Sequence, residues 1–557
     1  MSDGRATLGL AGFGAAATVF LRQFALRALY CCAGTSCRRT PQCGACRRRG
    51  LVLPLVLVVI AMLTLAGLTY SELMFAERRA ALSAAQHAQA RASADSGLEM
   101  VKLLLSKDPE TLKAMGGWYD NPALLRGMLV YDHQRPERRS RFTVVTPRYE
   151  PYSTASVRFG LEDESTKLNL NTLSLADQYA EDGARRLLMG LPGMTEQIAD
   201  AILDWVDEDD DPREYGAEID YYASLVPGYA PRNGPLQTVE ELLLVRDVWP
   251  EMLFGSDANR NGLPDANEPT EALLMQSEAF DESINRGWAA YLTLWSKETN
   301  LRPDGRKKID LNQNDMQTLF DELTEAFPDQ PFWALFIVLY RQNGPSTSEP
   351  TLDIPPELTQ AIDLTRKPKA KLTTVLDLID AKTEVTIPGE NNRSRKVVLM
   401  SPFLSVPELM QVYLPLLMDH VAVNTSPEII GRINVNQAPR SVLAGVPGMT
   451  TELLDRILST REPDPAKAPE NRRHETWLLE EGLVTLEQMK ALLPFLCAGG
   501  CVYRAQVVGY FDRAGPAVRI EAVLDAAQKP PTILMWRDIS HLGRGYALAT
   551  LGIESWE

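Results

Sequence analysis

Histidine is scarce in this chain of 557 residues, and the five present, His87, His133, His420, His474 and His541, are scattered. No two share the helical spacing of a zinc protease, and none stands beside a nucleophile motif, so neither of those histidine-dependent chemistries is indicated. Half a dinucleotide fingerprint, "GFGAAA" at residues 12–17, has no strand before it. Nothing in the sequence argues for catalysis. Basic charge is also short. Eight of the 57 Lys and Arg lie in residues 1–50 beside a single acid, Asp3, so the remainder carries 49 bases against 72 acids, a net −23. A body so acidic repels nucleic acid and anionic lipid and attracts divalent cations. Cysteine is thin and unevenly placed: Cys31, Cys32, Cys37, Cys43 and Cys46 come early, and only Cys497 and Cys501 come late. The early group has a spacing compatible with zinc, or is simply part of a leader. No long stretch after residue 107 is poor in apolar residues, so most of the chain is expected to fold, as two to four units.

One membrane-length apolar run is present. Residues 51–70, "LVLPLVLVVIAMLTLAGLTY", carry no charge, and about 20 residues at ~1.5 Å each span a bilayer core of ~30 Å. The run is too long for the apolar part of a secretion signal, and no small-x-small cleavage site follows it closely. Helix-forming residues continue beyond it until Asp108-Pro109, which predicts one helix over residues 51–106, half in lipid and half outside. Arg47, Arg48 and Arg49 place the preceding segment in the cytoplasm by the positive-inside rule. Cys497 and Cys501 then lie in an oxidising compartment and are expected to pair across the short loop "CAGGC".

The body repeats itself. "KLNLN" (residues 167–171), "KIDLN" (308–312) and "RINVN" (432–436) are three echoes of one pattern. The first and third are followed by "GLPGMT" (190–195) and "GVPGMT" (445–450), then by an amphipathic helix with Ile198, Ile202 and Trp205, or Leu453, Leu454, Ile457 and Leu458, on one face. The middle copy has "FWALFIVLYRQ" in place of the Pro-Gly turn. Such turns resemble the helix-hairpin-helix motif, but "DWVDEDDD" at the end of the first helix would repel a phosphate backbone, so the repeats are read as packing units. Alternating strand patterns flank this region, at residues 141–147 and 155–162 before it and at 502–511, 517–525 and 531–537 after it.

The sharpest chemical signal is "DANRNGLPDANE", residues 257–268, which fits the calcium-loop template D-x-[DN]-x-[DN]-G-x5-E. Asp257, Asn259 and Asn261 would give side-chain oxygens, Gly262 the sharp turn and Leu263 its carbonyl. Asp265 would bind directly or through water, and Glu268 bidentately. Only three of these ligands are charged, which suits weak binding in calcium-rich surroundings. A second, weaker candidate is the acidic group Asp207, Asp209, Asp211, Glu218 and Asp220, which has Pro212 where a glycine turn would be needed and is equally well read as a solvated loop.

These residues carry a resemblance. A basic stretch, Gly50, an apolar Leu51 and a spanning helix that continues as a stem resemble the class III signal of type IV pilins and type II secretion pseudopilins. Most members carry Glu at the fifth mature position, where this chain has Leu55. A carboxylate in lipid persists only if neutralised, in those filaments by a neighbour's terminal amine, and the K-type minor pseudopilin characteristically lacks it. "INVN" with its "PGM" turn, and "LDWVDEDDDPREYGAEIDYY" (residues 203–222) followed by "LQTVEELLLV" (236–245), are similar to that family's large helical insertion.

The resemblance implies cleavage between Gly50 and Leu51 by a prepilin peptidase, N-methylation of Leu51, and a single-pass inner-membrane protein with its bulk in the periplasm. It also implies calcium binding and no enzymatic activity. The expected fold is α+β: a transmembrane and stem helix, then a pilin-like α/β domain interrupted by a large all-α insertion with helix-hairpin-helix-like (SAM-like) repeats. Residues 1–50 form the leader and 51–106 the helix. Residues 107–166 and 497–557 form the two parts of the α/β domain, and 167–496 the insertion, with repeats near 167–250, 308–380 and 432–495. The implied role is a tip subunit that primes or caps the type II secretion pseudopilus for export of folded proteins. Its partners would be other minor pseudopilins, the prepilin peptidase and the inner-membrane assembly platform, with no nucleic acid. A minor pilin of a type IV pilus shares the leader and stem, and a membrane-tethered DNA-binding protein would use the hairpin units; both stay open at this point.

Overall fold

The structure, a computed structural model, describes residues 52–148, 156–263, 265, 286–351, 362–388, 394–513 and 515–553. It divides into two compact units, Met1–Ala80 and Ala81–Glu557. The described part of the first is helical: helix α1 runs Val52–Leu105, close to the length read from the sequence. Its apolar window has a mean hydropathy of 2.6 with none of its surface covered, and among the described residues it is the helix long and apolar enough to cross a membrane.

In the second unit the last turns of α1 bury Ala90, Ala94, Gly97, Leu98, Val101, Leu104 and Leu105. This is a helical stripe, small at Ala90, Ala94 and Gly97 and larger from Leu98 on, and it lies on an antiparallel sheet. The sheet is made of β1 (Met128–Tyr131), β2 (Ser140–Arg148), β3 (Ser156–Arg158), β4 (Glu162–Asp163), β5 (Val502–Phe511), β6 (Val518–Asp525) and β7 (Thr532–Asp538). Its order is β1-β2-β5-β6-β7, with β3 on β2 and β4 on β5. The long strands begin and end within a residue or two of the alternating patterns. The pattern at residues 155–162 is the exception, because it breaks into β3 and β4.

Both faces of the sheet are covered. Phe142, Val144, Val507, Ile520 and Leu524 meet α1, while Val145, Val508 and Tyr510 meet Tyr546 and Leu551 of the C-terminal segment. Helix and sheet approach closely because two glycines allow it. A Cβ on Gly509 would lie 2.1 Å from the Ala90 carbonyl oxygen, and one on Gly97 would lie 2.5 Å from Val507 Cγ1.

Residues between β4 and β5 hold the three echoes, and each opens on a short strand paired in parallel. Leu168–Asn169 pairs with Leu292–Thr293, Ile309–Asp310 with Val421–Ala422, and Ile433–Asn434 with Leu496–Cys497. The last asparagine of each echo makes a bond to distant backbone. Asn171 exchanges hydrogen bonds with Leu236, Asn312 does so with Leu372, and Asn436 donates to the Arg472 and Ala498 carbonyls.

The two Pro-Gly turns pack back to back: a Cβ on Gly190 would lie 2.5 Å from Gly445 N, and one on Gly445 2.5 Å from the Leu187 carbonyl oxygen. Thr195 and Thr450 accept from Ile198 N and Leu453 N and so cap the helices that follow, Glu196–Val206 and Thr451–Thr460. The side chains that follow each turn therefore serve helix starts rather than a phosphate.

The expectation of an all-α insertion is corrected. Lys382–Pro388 pairs with Ser394–Met400 as a hairpin, and Lys297–Thr299 pairs with Glu428–Ile430. The hairpin buries Thr383, Val385 and Ile387 on one strand and Val397 and Leu399 on the other. That two-residue alternation of β-branched side chains is a strand signal the sequence reading passed over.

The join between the sheet and the residues that lie between β4 and β5 is polar. Buried Asp163 accepts from Ser165 N at 2.8 Å, Gly500 N at 2.7 Å and Asn434 Nδ2 at 2.9 Å. Next to it a row of alternating charges runs Glu164–Arg504–Glu521–Arg537–Glu240. Burial alone would raise the pKa of Glu164, but Arg504 and Lys167 overcome it and hold the carboxyl at about 2.

Gly509→Ala should destabilise the body by about 1–3 kcal/mol, because backbone rather than a flexible side chain stands in the way. Gly499→Ala, with nothing within 4 Å of the added carbon, should shift the denaturation midpoint far less. Urea denaturation followed by tryptophan fluorescence compares them.

Candidate functional site

The loop that matches the calcium template is wrapped by its own side chains. Asp257 Oδ1 accepts from Asn261 N at 3.0 Å and Oδ2 from Gly262 N at 2.7 Å. Asn259 Oδ1 shares the Asn261 N–H at 3.0 Å, and Asn261 Oδ1 accepts from Leu263 N at 2.6 Å. Asp265 Oδ2 takes the side-chain amide N–H groups of both Asn259 and Asn261. Four of the expected ligand side chains thus converge within one turn, and Leu263 lies at its end. Glu268 lies outside the described residues. Gly262 has φ +70°, and a Cβ there would lie 2.6 Å from Pro147 Cγ, so both backbone and space require glycine. A divalent cation fits this donor set in kind, because Asp257, Asn259, Asn261 and Asp265 each bring a hard side-chain oxygen with a second lone pair to the loop.

The acidic group resolves into a smaller one. Asp207, Asp209 and Glu218 each bring a carboxylate oxygen within 4.8 Å of the others, whereas Asp211 and Asp220 are exposed and are not part of that cluster. Both Glu218 oxygens and Asp207 Oδ1 are buried with no hydrogen-bond partner. The other Asp207 oxygen pairs with Arg213, which also reaches Asp204 at 2.7 Å. Burial, followed by the charges of Asp204 and Asp207, pushes the Glu218 carboxyl up to about 7. Unpaired buried carboxylates are costly, and a cation would relieve this one, so these three residues fit a metal as well.

Asp204 and Arg213 belong to this site and were missed in the sequence reading. Their signal was indirect. Gly216 of "YGAE" has the Asp204 carboxylate where a Cβ would be, at 1.7 Å, so the glycine marks a carboxylate approaching backbone.

The expected disulfide is corrected: Cys497 and Cys501 are free and buried. Cys497 is held in the parallel pair with Asn434, and Cys501 Sγ turns to the Lys297 carbonyl oxygen at 3.3 Å. Burial drives the Cys501 thiol well above its ordinary pKa, so it is unreactive. The processing pair, Gly50 and Leu51, lies outside the described residues.

The structure thus supplies a helix long and apolar enough to cross a membrane and two oxygen-rich clusters. Residues 166–254, which begin with the first echo, match the family model for "Type II secretion system (T2SS), protein K". Over 213 residues the chain is 27% identical to the type II secretion system protein K of Klebsiella pneumoniae, a stretch covering 36% of this chain and 58% of that protein. The chain thus spans little more than half of that relative. Among solved structures it aligns with a chain of the GspK-GspI-GspJ complex of the enterotoxigenic Escherichia coli type 2 secretion system. The identity is 12% and the TM-score 0.30, over 83% of this chain and 99% of that one. The resemblance read from the sequence holds: residues 166–254 match the type II secretion system protein K family, and the similarity to a protein K extends over 213 residues.

A raised carboxyl pKa means that the cation-free fold keeps its proton up to about pH 7, and a metal must displace it. Divalent-cation affinity at Asp207, Asp209 and Glu218 should therefore rise as pH rises through 7, roughly tenfold between pH 6 and pH 8. Glu218→Gln should weaken binding and flatten that dependence, as calorimetric titration at the two pH values would show.

Proposed function

We propose that the protein is a non-enzymatic tip subunit that primes or caps the type II secretion pseudopilus. The observation that carries the reading is the protein K match over the residues that hold the first echo and the acidic cluster. On this reading the sheet with α1 is a pilin-type domain, and residues 167–496 are a domain inserted between its strands, built on three related units. The membrane part of α1 holds the subunit in the inner membrane with its bulk in the periplasm, and then packs with the helices of partner minor pseudopilins. Leu55 leaves the helix without the buried carboxylate that an internal subunit pairs with its neighbour's amine. The bulk of the body suits the end of a filament and would obstruct its middle. The prepilin peptidase and the inner-membrane assembly platform are the other partners, and folded proteins are the cargo that the pseudopilus moves through the outer-membrane channel.

Calcium is the cation proposed for both loops, since all donors are hard oxygens and the surroundings are extracytoplasmic. It would hold loops rigid that otherwise carry unpaired or merely self-paired oxygens. The DNA-binding alternative loses ground because Thr195 and Thr450 are occupied as helix caps.

The membrane-extracted chain should begin at N-methylated Leu51, as read by intact mass and N-terminal sequencing. A chain that retains Gly50 and the preceding arginines would leave a plain membrane anchor and contradict the filament role.

A further inference from the structure

The calcium-template loop does not stand free on the insertion; it is seated on the sheet through one residue of β6. Arg519 is fully buried, donates through Nη1 to the Asn259 carbonyl at 2.6 Å, and donates through Nη2 to the Arg260 carbonyl. Its guanidinium lies 5.4 Å from the Tyr546 ring centre. The Tyr546 hydroxyl sits between the Asn261 carbonyl oxygen, at 3.1 Å, and the Gln506 side-chain oxygen. Asn261 Nδ2 donates to the Gly545 carbonyl at 2.7 Å, and a Cβ on Gly545 would lie 2.7 Å from Arg519 Nη1. Three consecutive loop residues, 259 to 261, are thus held by groups from β6 and from the C-terminal segment.

That segment straps the outer face of the sheet. Ile539 N donates to the Arg519 carbonyl at 2.9 Å, Thr143 Oγ1 to the Leu551 carbonyl at 2.9 Å, and Arg126 to the Ala549 and Thr550 carbonyls. We propose that Arg519 and Tyr546 are positioning residues that couple cation occupancy at Asp257, Asn259, Asn261 and Asp265 to the seating of the C-terminal strap on the sheet. The inference rests on the reading of that loop as a calcium site and extends it, because neither residue supplies a ligand. Guanidinium and hydroxyl fix the carbonyls of 259, 260 and 261, so the Asn259 and Asn261 side chains are held at the centre before the ion arrives. A bound ion would in turn fix Asn261, and through Gly545 the strap. The two are linked reciprocally, as any coupling between binding and conformation must be.

The test uses the full-length protein in detergent with calcium chloride as the probe. Hydrogen exchange of amides 540–552 and calcium affinity are measured for the wild type, Arg519→Lys and Tyr546→Phe. In the wild type, calcium should slow exchange in the strap. Arg519→Lys, which keeps the charge but cannot span two carbonyls, should weaken calcium binding about tenfold, as loss of a charge-assisted hydrogen bond requires. Tyr546→Phe should weaken it less and remove the calcium response of the strap. A variant that merely destabilised the fold would speed exchange with and without calcium alike, which contradicts the coupling. Unchanged affinity in both variants, beside a wild type that binds, overturns this inference and leaves the calcium site standing. A wild type whose calcium binding is unchanged by Asp257→Ala overturns both this inference and the calcium reading of the loop.

Discussion

The pairing of Ser140–Val145 in β2 with Gln506–Phe511 in β5 is the contact that the rest of the structure has to satisfy. The chain leaves the sheet after β4 and must return in register for β5, or α1 loses the surface on which it packs. The entropy of closing so long a loop grows only slowly with its length, but the contacts that reward closure come late, so the inserted part must fold into something whose ends are close together. The parallel pairs supply that condition locally, since each echo strand is met by the strand that closes its own stretch of chain. The last of them, Ile433–Asn434 with Leu496–Cys497, delivers the chain to Gly500, whose N–H meets Asp163 at the end of β4. Departure from the sheet after β4 and return to it at β5 are therefore pinned at one buried carboxylate.

That joint explains why so much charge is buried in it. A row of ion pairs contributes modestly to stability once desolvation is counted, but leaving one member unpaired is costly, so the row permits one arrangement and penalises others. Glu164, Arg504, Glu521, Arg537 and Glu240 alternate from the residue after β4 across β5, β6 and β7 to Glu240 in the stretch between β4 and β5. The cation-ready loops sit where stiffness matters, one against the C-terminal strap and one beside Trp205 at the end of the helix that follows the first Pro-Gly turn.

Much of this was legible in the sequence. The long helix and the flanking strands followed from periodicity, which tertiary contacts reinforced rather than overrode, and the three echoes were visible as repeated letters. The repeated asparagines turned out to have a mechanical reason, since each binds backbone far along the chain. The convergence of Asp207, Asp209 and Glu218 was half legible: composition marked the acids, but only folding could separate these three from Asp211 and Asp220. What escaped was non-local or short. The paired strands at 382–388 and 394–400 are a two-residue period inside a region dominated by helical signals, and Arg519 meets the calcium-template loop across 260 residues of sequence. The cysteine pair misled for a related reason. Spacing and compartment favoured a bond, whereas Cys497 is held by its pairing with Asn434 and Cys501 by the Lys297 carbonyl.

The central claim is that this chain works as part of a type II secretion pseudopilus. Its most direct measurement is the export of a folded type II substrate by cells from which this chain alone has been deleted. The substrate should accumulate in the periplasm, folded and active, and export should return when the intact chain is supplied. Export that proceeds undiminished without it would contradict the account.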